Sequence, residues 1–485
     1  MLQSVNYSMK RKKFYITTTL PYINADPHIG FALEIIQADV IARHYRNFGY
    51  EVFFNTGTDE HGLKILRKAQ ENNLDIQSYC DYYAKKFNNL KEALNLSYNS
   101  FIRTTDKRHI KSAQTFWLKC QKNGDIYKKN YKIKYCIGCE LEKTESELEK
   151  GKCSLHPDQP IEIIKEENYF FRYSKYQKPL LNFYRKNKHF IVPEPKFNEV
   201  KTFTENGLED FSISRLKEKM PWGVSVPNDE KQVMYVWFDA LVSYISSLGW
   251  PNNVKKFNYF WPGLQMAGKD NLRQQSSMWQ AMLMSAGLPN SRQIFIHGFV
   301  TSGGQKMSKS LGNVIDPFEL VKKYGTDPVR YYLLREITPT EDGDFTYEKF
   351  EARYKADLAD GVGNLLARVI ALAKKPNFTE KKPSLAIKRV LNKAGKDCKR
   401  HLEEFKFNQS LNSIWGLVSF CDQYINKEKP WEGQGNFSQV VSDILSALGR
   451  ISDLLLPFLP ATADKIKLVV RTKKSEALFP KRLTN

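Results

Sequence analysis

Between Phe14 and Ile41 the chain passes from a hydrophobic run to a helical pattern across one proline, and few folds accommodate that order. The run Phe14-Tyr15-Ile16-Thr17-Thr18-Thr19-Leu20 is rich in β-branched and aromatic residues and reads as a buried strand. It breaks at Pro21, and a helical apolar pattern begins near His28 and continues through Ile35, Ile36, Ala38, Val40 and Ile41. A strand, a loop and a helix N-terminus in that order make an anion site, because the unpaired backbone N–H groups point at arriving negative charge. Gly30 has no side chain, so a flat ring could lie against the backbone there. His28 could donate a hydrogen bond to the same anion.

The alternation of strand and helix recurs downstream, but with an interruption. A second strand, Glu51-Val52-Phe53-Phe54-Asn55, ends in Thr56-Gly57-Thr58-Asp59-Glu60-His61-Gly62, polar residues where an α/β sheet presents its ligands. From Tyr127 to about Lys231 the pattern becomes irregular. Residues 233–300 then resume the alternation. Val233-Met234-Tyr235-Val236-Trp237-Phe238 reads as a strand leading into an apolar helix, and Gln293-Ile294-Phe295-Ile296-His297-Gly298 as another buried strand. The middle block therefore interrupts one α/β domain. From about Tyr354 only helical patterns remain, with Pro430, Pro457 and Pro460 marking helix ends. The expected segments are 1–126 and 232–300 as the two halves of the α/β domain, 127–231 as an insertion, 301–353 as the Lys306–Ser310 loop and a stem-contact region, and 354–485 as a helical domain.

Inside the insertion, Cys136-x2-Cys139 is followed, after thirteen residues, by Cys153-x2-His156. Two such pairs satisfy tetrahedral zinc with no position left for water, so a structural rather than a catalytic metal is expected. The other four cysteines (Cys80, Cys120, Cys398, Cys421) are scattered, which is no disulfide framework. Residues 1–13 lack the apolar core of a signal peptide, and no apolar run approaches the ~20 residues needed to span a bilayer. A cytoplasmic protein is expected. Its net charge of +21, from 74 Lys and Arg against 53 Asp and Glu, favours a polyanionic partner, nucleic acid before membrane.

Several smaller signals are ambiguous alone. Ser302-Gly303-Gly304-Gln305 leads a flexible loop carrying Lys306-Met307-Ser308-Lys309-Ser310, which could close over a triphosphate or be a solvated charged turn. Asp59 could pair with an ammonium group or cap the helix expected near Gly62. Trp237, Ala240, Leu241 and Tyr244 share a helical face and could line an apolar pocket or serve as core. Asp270, in Gly268-Lys269-Asp270, could hold a ribose hydroxyl.

Taken together, His28-Ile29-Gly30-Phe31 and, nearly 280 positions later, Lys306-Met307-Ser308-Lys309-Ser310 resemble the two signature motifs of class I aminoacyl-tRNA synthetases. With the inserted cysteine knuckle and the helical C-terminal part, the chain resembles the methionyl-tRNA synthetase family from Ile16 to about Pro457. Leu20-Pro21-Tyr22-Ile23-Asn24, Gly57-Thr58-Asp59-Glu60-His61-Gly62, Tyr235-Val236-Trp237-Phe238-Asp239-Ala240 and Lys429-Pro430-Trp431 are typical of it. The resemblance implies a Rossmann-type parallel sheet split by a zinc-knuckle connective insertion and followed by an all-α anticodon-binding bundle.

It also implies roles. His28, Lys306 and Lys309 would be catalytic, and Gly30, Gly268, Asp270, His297, Ser308 and Ser310 would help hold Mg-ATP. Leu20, Tyr22, Asp59, Trp237, Ala240, Leu241, Tyr244, Gln275 and Trp279 would form the L-methionine pocket, with Asp59 on the α-ammonium. Cys136, Cys139, Cys153 and His156 would hold zinc. Asn364, Arg368 and Trp431 would read the CAU anticodon of tRNA(Met), the initiator included; without the resemblance, Trp431 after Pro430 reads as a buried helix end. The appended tRNA-binding and dimerising domain of some relatives is absent, so a monomer with no membrane partner is expected. Phe31 stands where the family carries a second histidine, Gln275 where it carries a pocket histidine, and Gln274 where an aromatic is often found. Among sibling enzymes, the branched-chain ones carry an editing insertion that does not fit this length, and the cysteine enzyme lacks the Pro-Tyr and Lys-Pro-Trp signatures. An RNA-binding paralogue without catalysis is opposed by Lys306 and Lys309.

Overall fold

Strand β1, Lys13–Thr17, lies at the centre of a six-stranded sheet, buried from Phe14 onward as its aromatic and β-branched composition requires. Its companions are β2 (Glu51–Thr58), β3 (Ser100–Arg103), β4 (Ile191–Val192), β5 (Leu264–Gly268) and β6 (Gln293–His297). The spatial order is β3-β2-β1-β5-β6-β4. β1 runs parallel to β2, with Ile16 opposite Phe54, and parallel to β5, with Ile16 opposite Leu264. β2 and β3 are also parallel, as are β6 and β4. The order reverses beside β1, between β2 and β5, which is where an open doubly wound sheet leaves a crevice for ligands. At Gly57 the strands approach so closely that an added Cβ would lie 1.7 Å from the Ile102 carbonyl oxygen.

The computed structural model describes residues 12–139, 141–143, 148–307, 311–432, 436–474 and 477–480. These fall into two compact units. The first comprises the described residues within Met1–Pro27, Gly49–Asn89 and Tyr98–Ile296; the second comprises those within His28–Phe48, Leu90–Ser97 and His297–Asn485.

The first unit holds the sheet, its aromatic core (Phe116, Trp117, Phe238, Trp250 and Trp279 among others) and the insertion. The insertion is built on a long antiparallel ribbon, Ile126–Cys136 against Ile161–Phe171, which pairs without a break from Ile126 opposite Phe171 to Cys136 opposite Ile161. One expectation needs correcting. The strand expected over Val233–Phe238 is Asp229–Met234, and it pairs antiparallel with Ser214–Leu216 and Ser225–Val226 in a separate three-stranded sheet. Tyr235 donates its N–H to the Ile213 carbonyl at 2.8 Å, and a helical turn, Val236–Ala240, begins directly after it. The central sheet takes β5 instead, whose sequence Leu264-Gln265-Met266-Ala267-Gly268 contains no β-branched residue to announce it.

The second unit contains the helix Ile29–Asn47, the hairpin Val300–Ser302 with Gln305–Lys306, and the helices of the C-terminal part. The hairpin turns through Gly303 and Gly304 at φ of 60° and 75°, a conformation that favours glycine. Asn364–Ala373, Leu385–Glu403, Phe407–Glu428, Phe437–Leu455 and Pro460–Thr472 pack as a helical bundle. A buried ion pair ties this unit together. Arg330 lies 2.8 Å from Asp39 and donates to the carbonyls of Phe458, Leu94 and Pro457. Burial opposes the Asp39 charge, but Arg330 and Arg43 hold its carboxyl below the usual range. A buried arginine is tolerable only with this many partners. No described helix is long and apolar enough to cross a membrane.

Candidate active site and metal centre

The loops that follow β1 and β2 are zipped together. Tyr22 and Asp59 form a parallel bridge, Asp59 donates its N–H to the Pro21 carbonyl at 3.0 Å, and the Tyr22 hydroxyl donates to the His61 carbonyl at 2.6 Å. Asp59 does not cap the helix Leu63–Glu71; Gly62, at φ 113°, occupies that position. The neighbouring Glu60 anchors the loop instead, accepting from Thr58 at 2.6 Å and from Arg103 through Nε at 2.7 Å and Nη2 at 2.8 Å. Such a bidentate pair fixes geometry as well as charge.

A buried histidine–aspartate–histidine array locks this loop to the helical turn bearing Trp237 and Ala240. Asp239, on that turn, receives His61 Nδ1 at 2.6 Å and His109 Nε2 at 2.7 Å, and His109 Nδ1 meets Ser246 Oγ at 2.9 Å. Burial would raise the Asp239 pKa, but the two imidazoles hold it at about 2. Tyr235 and Val236, next to Trp237, pack with Tyr135, and Tyr22 and Trp237 close over them. Leu241, Tyr244 and Trp279 belong to the adjoining core, where Tyr244 meets Trp279 edge-on at 6.0 Å. Gln275 lies in a π-helical turn, Gln274–Met278, directly before the helix of Trp279, and its amide donates to the Tyr244 hydroxyl. Turns of this kind recur at functional sites. The indole N–H groups of Trp237 and Trp279 are buried and find no partner among the described residues. Leu20 is half-buried just past β1.

The sequence reading missed Arg215. It is only 5% exposed, with its guanidinium 4.5 Å from the Tyr235 ring centroid and 5.5 Å from that of Tyr135. Nη1 donates to Ser212 Oγ and the Ser214 carbonyl, while Nη2 has no partner among the described residues. A buried cation beside the Tyr22 and Trp237 cluster suits a substrate anion. The signal available was an arginine within the apolar stretch Phe211-Ser212-Ile213-Ser214-Arg215-Leu216, where an ordinary strand would place a small or hydrophobic residue. Gly268 closes β5, and Asp270 sits in the turn Lys269–Asn271, accepting from the Asn271 amide at 3.1 Å.

In the second unit, His28 caps the helix Ile29–Asn47. Its Nδ1 accepts the Gly30 N–H at 3.1 Å. A neutral ring that accepts through Nδ1 carries its proton on Nε2, so the ring presents a donor. Crowding by protein atoms and then the charge of Lys306 keep the His28 pKa below its ordinary value, although the residue as a whole is exposed. A Cβ on Gly30 would lie 2.9 Å from the His28 ring. Lys306 is exposed on the hairpin, its ammonium 5.9 Å from the Phe299 ring. Ser308, Lys309 and Ser310 lie outside the described residues. His297 is buried with both ring nitrogens engaged, Nε2 with Glu34 at 2.8 Å and Nδ1 with the Gly298 carbonyl at 2.7 Å. Any contribution it makes to a ligand therefore comes from the ring face or the backbone.

At the end of the long ribbon, ligand atoms of Cys136, Cys139, Cys153 and His156 all lie within 4.8 Å of one another. Cys139 Sγ is 3.4 Å from Cys153 Sγ and 3.2 Å from His156 Nδ1, and Cys136 Sγ is 4.0 Å from that nitrogen. Tetrahedral zinc with bonds of about 2.3 Å separates sulfurs by about 3.7 Å, so the four atoms fit the ion. Gly138 is required where it stands, since a Cβ there would lie 2.4 Å from the His156 ring.

In the bundle, Asn364 is exposed and Arg368 sits one turn on, bonded to Asn426 at 2.7 Å and 3.3 Å from Asp422. Trp431 is not a buried helix end. The chain turns at Lys429 (φ 39°), Pro430 goes inward, and the indole is left 44% exposed.

Comparison with known proteins agrees with this architecture. Residues 14–147 and 138–370 match the family described as "tRNA synthetases class I (M)", and residues 385–482 match the "Anticodon-binding domain of tRNA ligase". The chain is 42% identical over 471 residues to the methionine–tRNA ligase of Thermotoga maritima, covering 94% of this chain and 74% of that one. It is 40% identical to the methionine–tRNA ligase of Rickettsia felis, covering 97% and 94%. The solved Mycobacterium tuberculosis methionyl-tRNA synthetase in complex with methionyl-adenylate superposes with a TM-score of 0.91 at 33% identity, covering 97% of this chain and all of that one. With its parallel sheet, its inserted cysteine cluster and its C-terminal helical bundle, this chain belongs to the methionyl-tRNA synthetase family of class I aminoacyl-tRNA synthetases.

Proposed function

We propose that the residues gathered above divide the methionine–tRNA ligase reaction between them. Tyr22, Trp237, Ala240, Leu241, Tyr244, Gln275 and Trp279, with Leu20, hold the methionine side chain; aromatic and apolar walls suit a polarizable thioether. Asp59 takes the α-ammonium, and Arg215, whose Nη2 lacks a partner among the described residues, meets negative charge on the amino acid or its adenylate. The methionine carboxylate attacks the α-phosphorus of ATP and pyrophosphate leaves. Such a step needs positioning and charge neutralisation more than covalent help. His28 through Nε2–H, Gly30 through its open backbone, and Lys306 and Lys309 through their charges serve the departing phosphates, with Mg²⁺ accompanying ATP. Gly268, Asp270, His297, Ser308 and Ser310 complete the nucleotide contacts. The 3′-terminal adenosine of tRNA(Met) then takes the methionyl group.

Cys136, Cys139, Cys153 and His156 hold a zinc ion that stiffens the tip of the ribbon; its closed ligand set leaves it no part in the chemistry. Asn364, Arg368 and Trp431 read the CAU anticodon, an exposed indole stacking on a splayed base and the polar pair bonding its edges. The single observation that carries the reading is the lock between the Asp59 loop and the Trp237 turn. Through Asp239 it holds an acidic group and an aromatic wall in one place, as a zwitterion with an apolar side chain requires. Methionine should be the sole one of the twenty amino acids to support ATP–pyrophosphate exchange; exchange with another amino acid, or with none, would overturn the assignment. Metal analysis of the purified chain should find one zinc, lost in Cys153→Ser.

A further inference from the structure

Behind the Tyr244 hydroxyl runs a chain of buried side-chain amides whose hydrogen bonds all point one way. Its direction is set by groups that cannot rotate. The Ser291 backbone N–H donates to Gln280 Oε1 at 3.0 Å, and the Gln275 backbone carbonyl accepts from Gln280 Nε2 at 2.8 Å. With both ends of that amide assigned, Gln280 Nε2 also donates to Ser291 Oγ at 3.1 Å. The serine hydroxyl donates to Gln265 Oε1 at 2.5 Å, the acceptor recorded for its proton among the described residues, and Gln265 Nε2 in turn donates to Gln275 Oε1 at 3.0 Å. Gln275 is left with one orientation, its Nε2 donating to the Tyr244 hydroxyl oxygen. All five residues are buried. Amide groups ordinarily can be flipped without steric cost; here a backbone donor and a backbone acceptor fix Gln280, and the serine hydroxyl orients Gln265 and through it Gln275.

We infer that Gln265, Gln280 and Ser291 are specificity-determining residues that act through Gln275. They fix the Tyr244 hydroxyl as an acceptor on its Gln275 side and so set the polarity of the pocket wall. That polarity separates methionine from norleucine, which has a methylene in place of sulfur and the same length. Gln265 is a positioning residue, with no contact to the amino acid. The inference rests on the reading that Tyr244 and Gln275 line the methionine pocket.

The test is the ratio of kcat/KM for methionine over norleucine in pyrophosphate exchange, measured on the full chain. Gln265→Met keeps volume but removes both ends of the relay. It should lower the ratio about fivefold, the worth of one directed hydrogen bond, mostly through the KM for methionine, with the KM for ATP unchanged. Ser291→Ala, which keeps the backbone N–H, should lower it in the same direction and serves if Gln265→Met does not fold. In a Tyr244→Phe background Gln265→Met should have no further effect, an interdependence that a merely structural role would not show. Should Tyr244→Phe itself leave the ratio unmoved, the pocket reading fails and the inference with it. Should Tyr244→Phe move it while Gln265→Met and Ser291→Ala stay within twofold of the parent, the inference alone is overturned.

Discussion

The wall around Tyr244 and the region around His28 solve opposite problems. Around Tyr244, Gln275 and Trp279 nearly everything is buried, and the amide chain satisfies its own members before any ligand arrives. Around His28 and Lys306 the groups are exposed, and two basic side chains act on one another. If the wall around Tyr244 is the methionine pocket proposed above, a neutral thioether offers it little to bind with, so the pocket must be shaped and polarised beforehand at the cost of burying polar groups. A triphosphate brings its own charge. The site proposed for it need only offer donors and cations, even where, as at His28, protein atoms crowd the ring.

The contrast makes different variants fail in different ways. Trp279→Ala should do the most damage: truncating a fully buried indole that stacks on Phe116 and faces Tyr244 costs about 3–5 kcal/mol of stability. A large fall in thermal midpoint together with a raised KM for methionine would bear this out. Lys306→Ala should leave the midpoint nearly unchanged and His28→Ala should lower it only by the loss of a helix cap, about 1 kcal/mol, while both lower kcat for pyrophosphate exchange about 10²–10³-fold, the usual loss for a donor to developing negative charge. Since the His28 pKa is lowered, the rate should also hold steady as pH falls to 6.5, the ordinary value, and decline only below it. A midpoint drop in His28→Ala comparable to that in Trp279→Ala would erase the distinction.

How far the sequence revealed these two regions follows from the same physics. The side proposed to meet phosphates could be singled out because its signals are local: a strand, a proline, a helix cap and a glycine-led lysine loop lie within short stretches. The cysteine cluster was legible for the same reason, its four ligands falling in two pairs. The side chains of the proposed pocket could be named only by resemblance, since Trp237, Tyr244 and Trp279 are indistinguishable from core by spacing. Arg215 was missed because a single arginine in a short apolar stretch shows neither its burial nor the open Nη2, which only the packing around it reveals. The strand Asp229–Met234 was extended too far because Val236, Trp237 and Phe238 have strand-like composition, yet the Tyr235 N–H is already spent on Ile213 and the chain turns helical.

Asp239 sharpens the comparison from the buried side. Its carboxyl pKa is held at about 2, below the ordinary 3.8, so it stabilises the fold above about pH 4 and loses that contribution as pH falls through 2. The difference corresponds to roughly 2 kcal/mol at neutral pH. Asp239→Asn should lower the denaturation midpoint by about that much at pH 7, with the gap to the parent narrowing by about half near pH 3. It should also raise the KM for methionine, because the Asp59 loop and the Trp237 turn lose their common anchor, while the KM for ATP stays put. A gap that does not narrow on acidification would mean that the ionised carboxylate is not what the two histidines hold.

Trp431 extends the lesson to the helical part, and its expected effect is the smallest. Like His28 it stands exposed, so Trp431→Ala should leave stability and pyrophosphate exchange as they were. It should weaken only steps that involve tRNA, by about tenfold, within the range for one base stacked on an aromatic ring. Arg368 differs from it. Because Arg368 is tied to Asn426 and lies near Asp422, Arg368→Ala frees acceptors within the bundle and should lower the thermal midpoint slightly as well as tRNA affinity. Measured side by side in aminoacylation and in exchange, the two variants separate a residue that waits for its ligand from one the protein has already bound. If Trp431→Ala lowers exchange as much as aminoacylation, the indole supports the fold of the bundle, and the exposed side chain has been misread as a platform for RNA.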